Sequence, residues 1–291
     1  MNIVGRRNWY FGLSLLIILP GIVSMAVLGF RLGIDFQGGS QLNLVFVNPV
    51  QASAVQREVD TFSVDGTVQQ TTAKGVLITT KPLGQATQQN LENDLAAKFG
   101  AIDPSQSRTE LVGPTVAREL VIGAGGLIAS ASLLIMIYLR VRFASLRFAV
   151  CAILALLHDV FVLTGVYSIL GRVFNLPIGE INTLFVTAAL TVIGFSVHDT
   201  IVIFDRIREN LKVASRLNFE QTVNLSIIQS LARSLNTSMT VVFVLVALFL
   251  ISPPNIKGFT LALLIGIVSG TYSSIFNASP LLVVWRRLAQ R

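Results

Sequence analysis

The sequence predicts an α-helical polytopic membrane protein, with six transmembrane helices and one small α+β domain of ferredoxin-like βαββαβ order between helices 1 and 2. Three observations carry this. Of 291 residues, 53% are hydrophobic and 13% charged, and the mean hydropathy is +0.70; soluble domains carry about 25% charged residues. Six apolar runs approach the ~20 residues that cross a bilayer. One long stretch of ordinary soluble composition lies between the first two runs.

The spans fall at 10–30, 116–139, 148–170, 181–204, 232–252 and 259–284, which divides the chain into residues 1–30, 31–115 and 116–291. Arg6 and Arg7 before the first run mimic a signal peptide or a twin-arginine signal. The run is long, no A-x-A site follows, and further spans come later, so it reads as an uncleaved anchor. Within 31–115, SQLNLVFV (40–47) reads as a strand. Asn48-Pro49 suits a helix start before QASAVQREVDTF. GTVQQTTA and GVLITTK are strands around a turn. ATQQNLENDLAAKFG is a helix ended by Gly100, and SQSRTELVG is the last strand. This domain has no His, no Cys and no convergent acidic cluster, so binding or mechanics is expected of it rather than catalysis.

Span 5 has a short apolar core, Met239 to Ile251, about 20 Å long. It must recruit ARSLNTS, which draws Arg233 to the inner membrane boundary. Gly266, Gly270 and Ser274 in span 6 form a ladder of small residues, and Gly123, Gly125, Gly126, Ala129 and Ser130 crowd the start of span 2. Both patterns are expected to serve close helix packing. The single cysteine, Cys151, excludes an intramolecular disulfide and reads as a packing residue.

Lys and Arg mark the cytoplasmic side. Arg6 and Arg7 precede span 1, and Arg140, Arg142 and Arg147 join spans 2 and 3. Arg206, Arg208, Lys212 and Arg216 follow span 4, and Arg286, Arg287 and Arg291 end the chain. The opposite short loops carry only Arg172 and Lys257. Both termini are therefore expected in the cytoplasm and residues 31–115 outside. The formal charge of +7 gathers at the ends of apolar runs, a pattern that speaks for membrane lipids and against nucleic acid.

Both histidines precede an aspartate inside an apolar span: His158-Asp159 and His198-Asp199. A carboxylate at the centre of a membrane helix costs roughly 2.5–3.5 kcal/mol on insertion scales. Asp199 lies roughly 8 Å from the inner end of span 4, and Arg233 enters span 5 at similar depth, so the two are natural charge partners. Burial favours the neutral carboxyl and a nearby Arg the ionised one, which makes a proton switch. A static ion pair that orients helices is the competing reading, and the residues alone leave both open. Asp205 and Arg206 follow at the inner end of span 4, where they read as a solvated helix end; Arg206 shares a face with Asp199. Metal binding is disfavoured, since neighbours on a helix point about 100° apart and helical ligand pairs sit three or four apart. An intramembrane aspartyl protease would need a G-x-G-D context, which is absent.

GIDFQGG (33–39), ELVGPTVAREL (110–120), HDV (158–160), GFSVHDTIVIFDRIREN (194–210) and ARSLNTSMT (232–240) together resemble the SecD/SecF family of bacterial protein-export membrane proteins, on its SecF side. The resemblance covers nearly the whole chain. It implies a subunit that pairs with SecD in the manner of the resistance–nodulation–division superfamily. The pair would associate with the SecYEG channel in the bacterial inner membrane. It would use the proton motive force to draw preproteins outward after SecA has acted. It implies no hydrolytic chemistry and no cofactor, protons being the coupling ion. The family's proton-relay aspartate falls on Asp199 and its arginine on Arg233, with Asp159, His158, His198, Asp205 and Arg206 as supports. Phe195 stands where the family usually has tyrosine, and His198 where Asn is common; the residue type alone makes titration of His198 a hypothesis that the sequence leaves open. Asp35, Gly38 and Gly39 belong to the turn into the outer domain. The alternative is a proton-driven exporter of small molecules or lipids from the same superfamily; a third reading is an assembly factor whose buried charges fix helix register.

Overall fold

A computed structural model describes residues 2–62, 66–143, 145–213 and 217–288. Arg216 and Arg291, two of the basic residues expected on the cytoplasmic side, lie outside them. The chain divides into a helical unit, Met1–Arg31 with Gly126–Arg291, and a sheet unit, Leu32–Gly125.

The first long helix is α1 (Arg7–Leu28). The sheet unit then follows the order α2 (Ile34–Gln37), β1 (Gly39–Val45), α3 (Ala52–Thr61), β2 (Gly66–Gln70), β3 (Gly75–Thr80), α4 (Gln85–Phe99) and β4 (Arg108–Val112). The sheet order is β2–β3–β1–β4 with every neighbour antiparallel, the ferredoxin-like arrangement predicted. Alternation along β1 buries Leu42 and Leu44, which meet Val76 and Ile78 of β3, Val55 and Val59 of α3, and Leu91 and Leu95 of α4. The expected helix start at Asn48-Pro49 is displaced. Residues 46–50 continue the pairing instead, through Phe46 N–H to Lys74 O, Val47 N–H to Ala101 O and Val50 N–H to Ala73 O. The helix begins at Ala52, whose N–H donates to Gln70 Oε1 at 2.7 Å. The one-turn α2 went unforeseen.

Next come α5 (Pro114–Phe143), α6 (Leu146–Ser168, followed by a π-helical turn Ile169–Val173), α7 (Thr183–Val213) and α8 (Phe219–Ile251). The last span is α9 (Pro254–Ser273), continued through a π-helical turn Ser274–Ala278 into α10 (Ser279–Leu288). Among the described residues, six helical segments are long and apolar enough to cross a membrane, as predicted, but two run well beyond the expected bounds. α7 extends nine residues past Phe204. α8 starts thirteen residues before position 232, where Asn218 and Gln221 form a reciprocal capping box. Buried Thr222, Val223, Ser226, Ile227, Ser230, Ser234 and Ser238 recur at three- to four-residue spacing along it. The polar ARSLNTS stretch is therefore mid-helix.

Packing inside the helical unit follows the small residues in part. A methyl group on Gly266 of α9 would lie 2.1 Å from a Val192 side-chain carbon of α7, and one on Gly270 3.1 Å from Ser196 Cβ, so the span 6 ladder seats α9 on α7. The span 2 glycines differ from expectation: Gly123, Gly125 and Gly126 have nothing within 4 Å of such a methyl among the described residues. At the end carrying both chain termini, Asn224 Oδ1 accepts the Ile3 and Val4 N–H groups, and Glu220 pairs with Arg7 and Arg287. Phe143, Phe148 and Phe204 pack edge-on or stacked nearby. Cys151 is buried and free.

Candidate functional site

Asp159 is wholly buried where α6, α7 and α9 meet. Its Oδ1 accepts from Ser269 Oγ at 2.7 Å and lies 3.0 Å from His158 Nδ1; its Oδ2 accepts from Ser196 Oγ at 2.6 Å and Ser273 Oγ at 2.7 Å. The glycine at 270 helps bring Ser196 close, since a methyl there would sit 3.1 Å from Ser196 Cβ and 3.3 Å from Ser196 Cα. His158 reaches the other way: its Nε2 is 3.1 Å from Ser14 Oγ of α1. Ser14 Oγ in turn accepts from Asn277 Nδ2 at 2.8 Å. Three hydroxyl donors and the imidazole contact leave neither buried oxygen bare, as burial of a carboxyl requires.

Asp199 is also buried, at 6% exposure, but its surroundings differ. Oδ1 accepts from Ser234 Oγ of α8 at 2.7 Å. Oδ2 is buried with no hydrogen-bond partner among the described residues. The expected pairing with Arg233 is corrected: no ion pair joins them among the described residues, and Arg233 is exposed on the helical unit. Helix geometry is the reason. Neighbours on a helix are separated by about 100°, so when Ser234 faces α7, Arg233 turns away. His198 is likewise exposed beside buried Asp199.

The remaining predicted residues are separate from this pair of carboxylates. Asp205 pairs with Arg142 and lies 3.8 Å from Arg208, and Arg206 donates to Gln229 and Glu209 at 2.7 Å each. These contacts tie α7 to α5 and α8 at the terminus-bearing end. Asp35 lies in α2, which Gly38 ends at φ +76°, ψ 149°, a conformation essentially confined to glycine. Gly39 opens β1 where a methyl would meet Thr80 O at 2.6 Å. Sequence reasoning missed the serines at 14, 196, 234, 269 and 273. Their signal was present as hydroxyls on the inward faces of apolar helices. Among the described residues no cluster of three His, Cys, Asp or Glu could hold a metal.

The family described as "Protein export membrane protein SecD/SecF, C-terminal" matches residues 92–288, and the "SecD/SecF GG Motif" matches residues 23–50. The chain belongs to the SecD/SecF family. It is 46% identical to the protein translocase subunit SecF of Thermobaculum terrenum, over 98% of this chain and 94% of that one. It is 38% identical to the SecF of Anaerolinea thermophila, again over 98% and 94%. Among solved structures it resembles SecDF, a translocon-associated membrane protein from Thermus thermophilus, with a TM-score of 0.86 at 30% identity over 99% of this chain. It spans 39% of that longer polypeptide.

Proposed function

We propose that this chain is the SecF-type accessory subunit of a Sec protein translocase, working with SecD, and that Asp199 takes up and releases the coupling proton. The observation that carries the second part is the contrast between the two buried carboxyls. Asp159 has three hydroxyl donors and a histidine contact, and no oxygen left bare. Asp199 has one donor and a buried oxygen without a partner, a position at which a proton adds without breaking an existing bond. Protonation neutralises α7 at that depth and release charges it again. One charge moved through 100 mV is worth about 2.3 kcal/mol, enough to bias a two-state bundle.

The reading also accounts for Arg233 and His198. Exposed Thr187, Thr191, Gly194 and His198 line one face of α7, and exposed Arg233, Asn236, Thr237 and Thr240 one face of α8. Hydrocarbon does not solvate such faces, whereas helices of a SecD partner would. The protein then sits in the bacterial inner membrane with both termini cytoplasmic and the sheet unit outside. SecYEG, SecA and the moving preprotein are its further contacts, and it has no hydrolytic chemistry of its own. A small-molecule or lipid exporter is not favoured, because the curated relatives are SecF subunits.

The test uses inverted membrane vesicles importing a secretory preprotein, with and without a proton gradient. Asp199→Asn, assembled with SecD at wild-type level, abolishes only the gradient-stimulated part of import. Unchanged gradient stimulation would refute the relay and leave the carboxyl a packing element.

A further inference from the structure

α1 and α6 run parallel and keep one register. Ser14 meets His158, Gly21 meets Gly165, Ser24 meets Ser168 and Arg31 meets Asn175; each pair is 144 positions apart. The two glycines bring the backbones together: a methyl on Gly21 would lie 2.7 Å from Gly165 Cα, and one on Gly165 2.8 Å from Gly21 Cα. Ser24 Oγ and Ser168 Oγ are 2.8 Å apart, and Ser168 Oγ reaches Gly29 O at 2.7 Å. From Ser14 to Ser24 the matched contacts cover about 15 Å, half of a ~30 Å hydrocarbon core.

The far end of α1 is clamped more firmly still. Arg31 Nε donates to Glu180 Oε1 at 3.0 Å, and Arg31 Nη1 to Asn175 Oδ1 at 2.8 Å and Asn175 O at 3.2 Å. The Ile181 N–H donates to Arg31 O at 2.8 Å. Gly171 and Gly179 close-pack beneath, where a methyl on Gly171 would meet Arg31 Cβ at 2.9 Å. Sliding α1 against α6 by one turn would break the bonds at Ser14, Ser24 and Arg31 together and leave the buried hydroxyls of Ser14 and Ser24 without these partners.

The geometry points to α1 and α6 moving as one strut throughout the transport cycle, with Arg31 as the positioning residue that fixes where the chain leaves the helical unit. Arg31 is the last residue of that unit before the sheet unit begins at Leu32. A displacement of α6, which carries Asp159, therefore arrives at Leu32 undiminished. The inference rests on the export role and holds whether or not Asp199 carries a proton.

The test is a Ser24→Cys, Ser168→Cys pair with Cys151→Ser, in the full chain assembled with SecD in inverted vesicles. Oxidation closes a disulfide, read as loss of maleimide labelling, and preprotein import proceeds at the same rate oxidised or reduced. Import lost on oxidation and restored by reductant would overturn the strut, because the helices would then have to separate. A disulfide that does not form would overturn the register. In a second arm, Arg31→Glu assembles normally but loses import, and adding Glu180→Arg restores it. Wild-type import by Arg31→Glu, or failure of the swap to rescue, would overturn the positioning role.

Discussion

Asp159→Ala and Asp199→Ala remove the same group from similarly buried positions, yet their effects on stability should differ several-fold. Asp159 accepts three hydroxyl donors from α7 and α9; Asp199 holds one, from α8. Hydrogen bonds between membrane helices average about 0.6 kcal/mol with a ceiling near 1.7. Three of them put the cost of Asp159→Ala at roughly 2–5 kcal/mol, and one puts Asp199→Ala at roughly 0.6–1.7. Losing the bare Oδ2 offsets part even of that, because an unpaired buried oxygen is itself unfavourable. Reversible unfolding of the purified chain in mixed detergent–SDS micelles, followed by fluorescence of its two tryptophans, measures both. Equal costs for the two substitutions would refute the distinction between a saturated anchor and an exchangeable carboxyl, and with it the choice of Asp199 over Asp159.

Three further outcomes follow from the packing and the surface charges. Gly266→Leu drives a side chain into Val192 of α7 and should cost about 1–3 kcal/mol as overpacking in the same unfolding assay; a neutral result would mean that α9 is not seated on α7. Gly38→Ala should cost the sheet unit about 1–3 kcal/mol through its backbone conformation, read as faster hydrogen exchange in β1 and β4. The Lys98 ammonium, 2.5 Å from Glu58, holds that carboxyl below its usual range, and the Ser105 hydroxyl does the same for Asp103. Depressed folded values mean stability that is present above the unfolded pKa, about 4, and lost as pH falls through the folded value. Hydrogen-exchange protection in the sheet unit, taken against the intrinsic amide rate at each pH, should therefore fall in acid, and less so in Glu58→Gln.

Composition made the six spans legible because hydrocarbon imposes one requirement on twenty residues at a time. The helix ends escaped it, since α7 and α8 continue through polar sequence held by capping and by buried serines rather than by lipid. In the sheet unit, strand alternation was readable, but the start of α3 depended on Lys74, Ala73 and Ala101 claiming residues 46–50 through long-range backbone bonds. At the buried carboxyls, the sequence marked the pairs His158-Asp159 and His198-Asp199, and Arg233 without its neighbour Ser234. At His198-Asp199 and Arg233-Ser234, which member faces inward is a matter of helix rotation, and packing chose Asp199 and Ser234. A depth match between Asp199 and Arg233 says nothing about rotation, which is why the expected ion pair is absent. The donors to Asp159 come from residues 37 to 114 positions distant, beyond what local spacing can show.

Arg233 supplies a sign test for the partner-facing surface. In the isolated chain it is an exposed cation on a helix that crosses the membrane, beside Asn236, Thr237 and Thr240. An Arg near the centre of such a helix is disfavoured by about 2.5–3.5 kcal/mol on insertion scales, less when it snorkels toward an interface. Arg233→Leu should therefore leave the isolated chain as stable as wild type or more so, because Ser234, not Arg233, meets Asp199. If helices of SecD cover this face and offer an acceptor, the same substitution should weaken SecD capture, since an acceptor left unpaired in the interface carries its full desolvation cost. Stability of the chain alone and yield of SecD on tagged chain are read from one preparation. Opposite signs in the two readouts place Arg233 at the interface. A loss in both would mean instead that the guanidinium supports the chain's own bundle, and wild-type SecD yield would mean that another surface holds the partner.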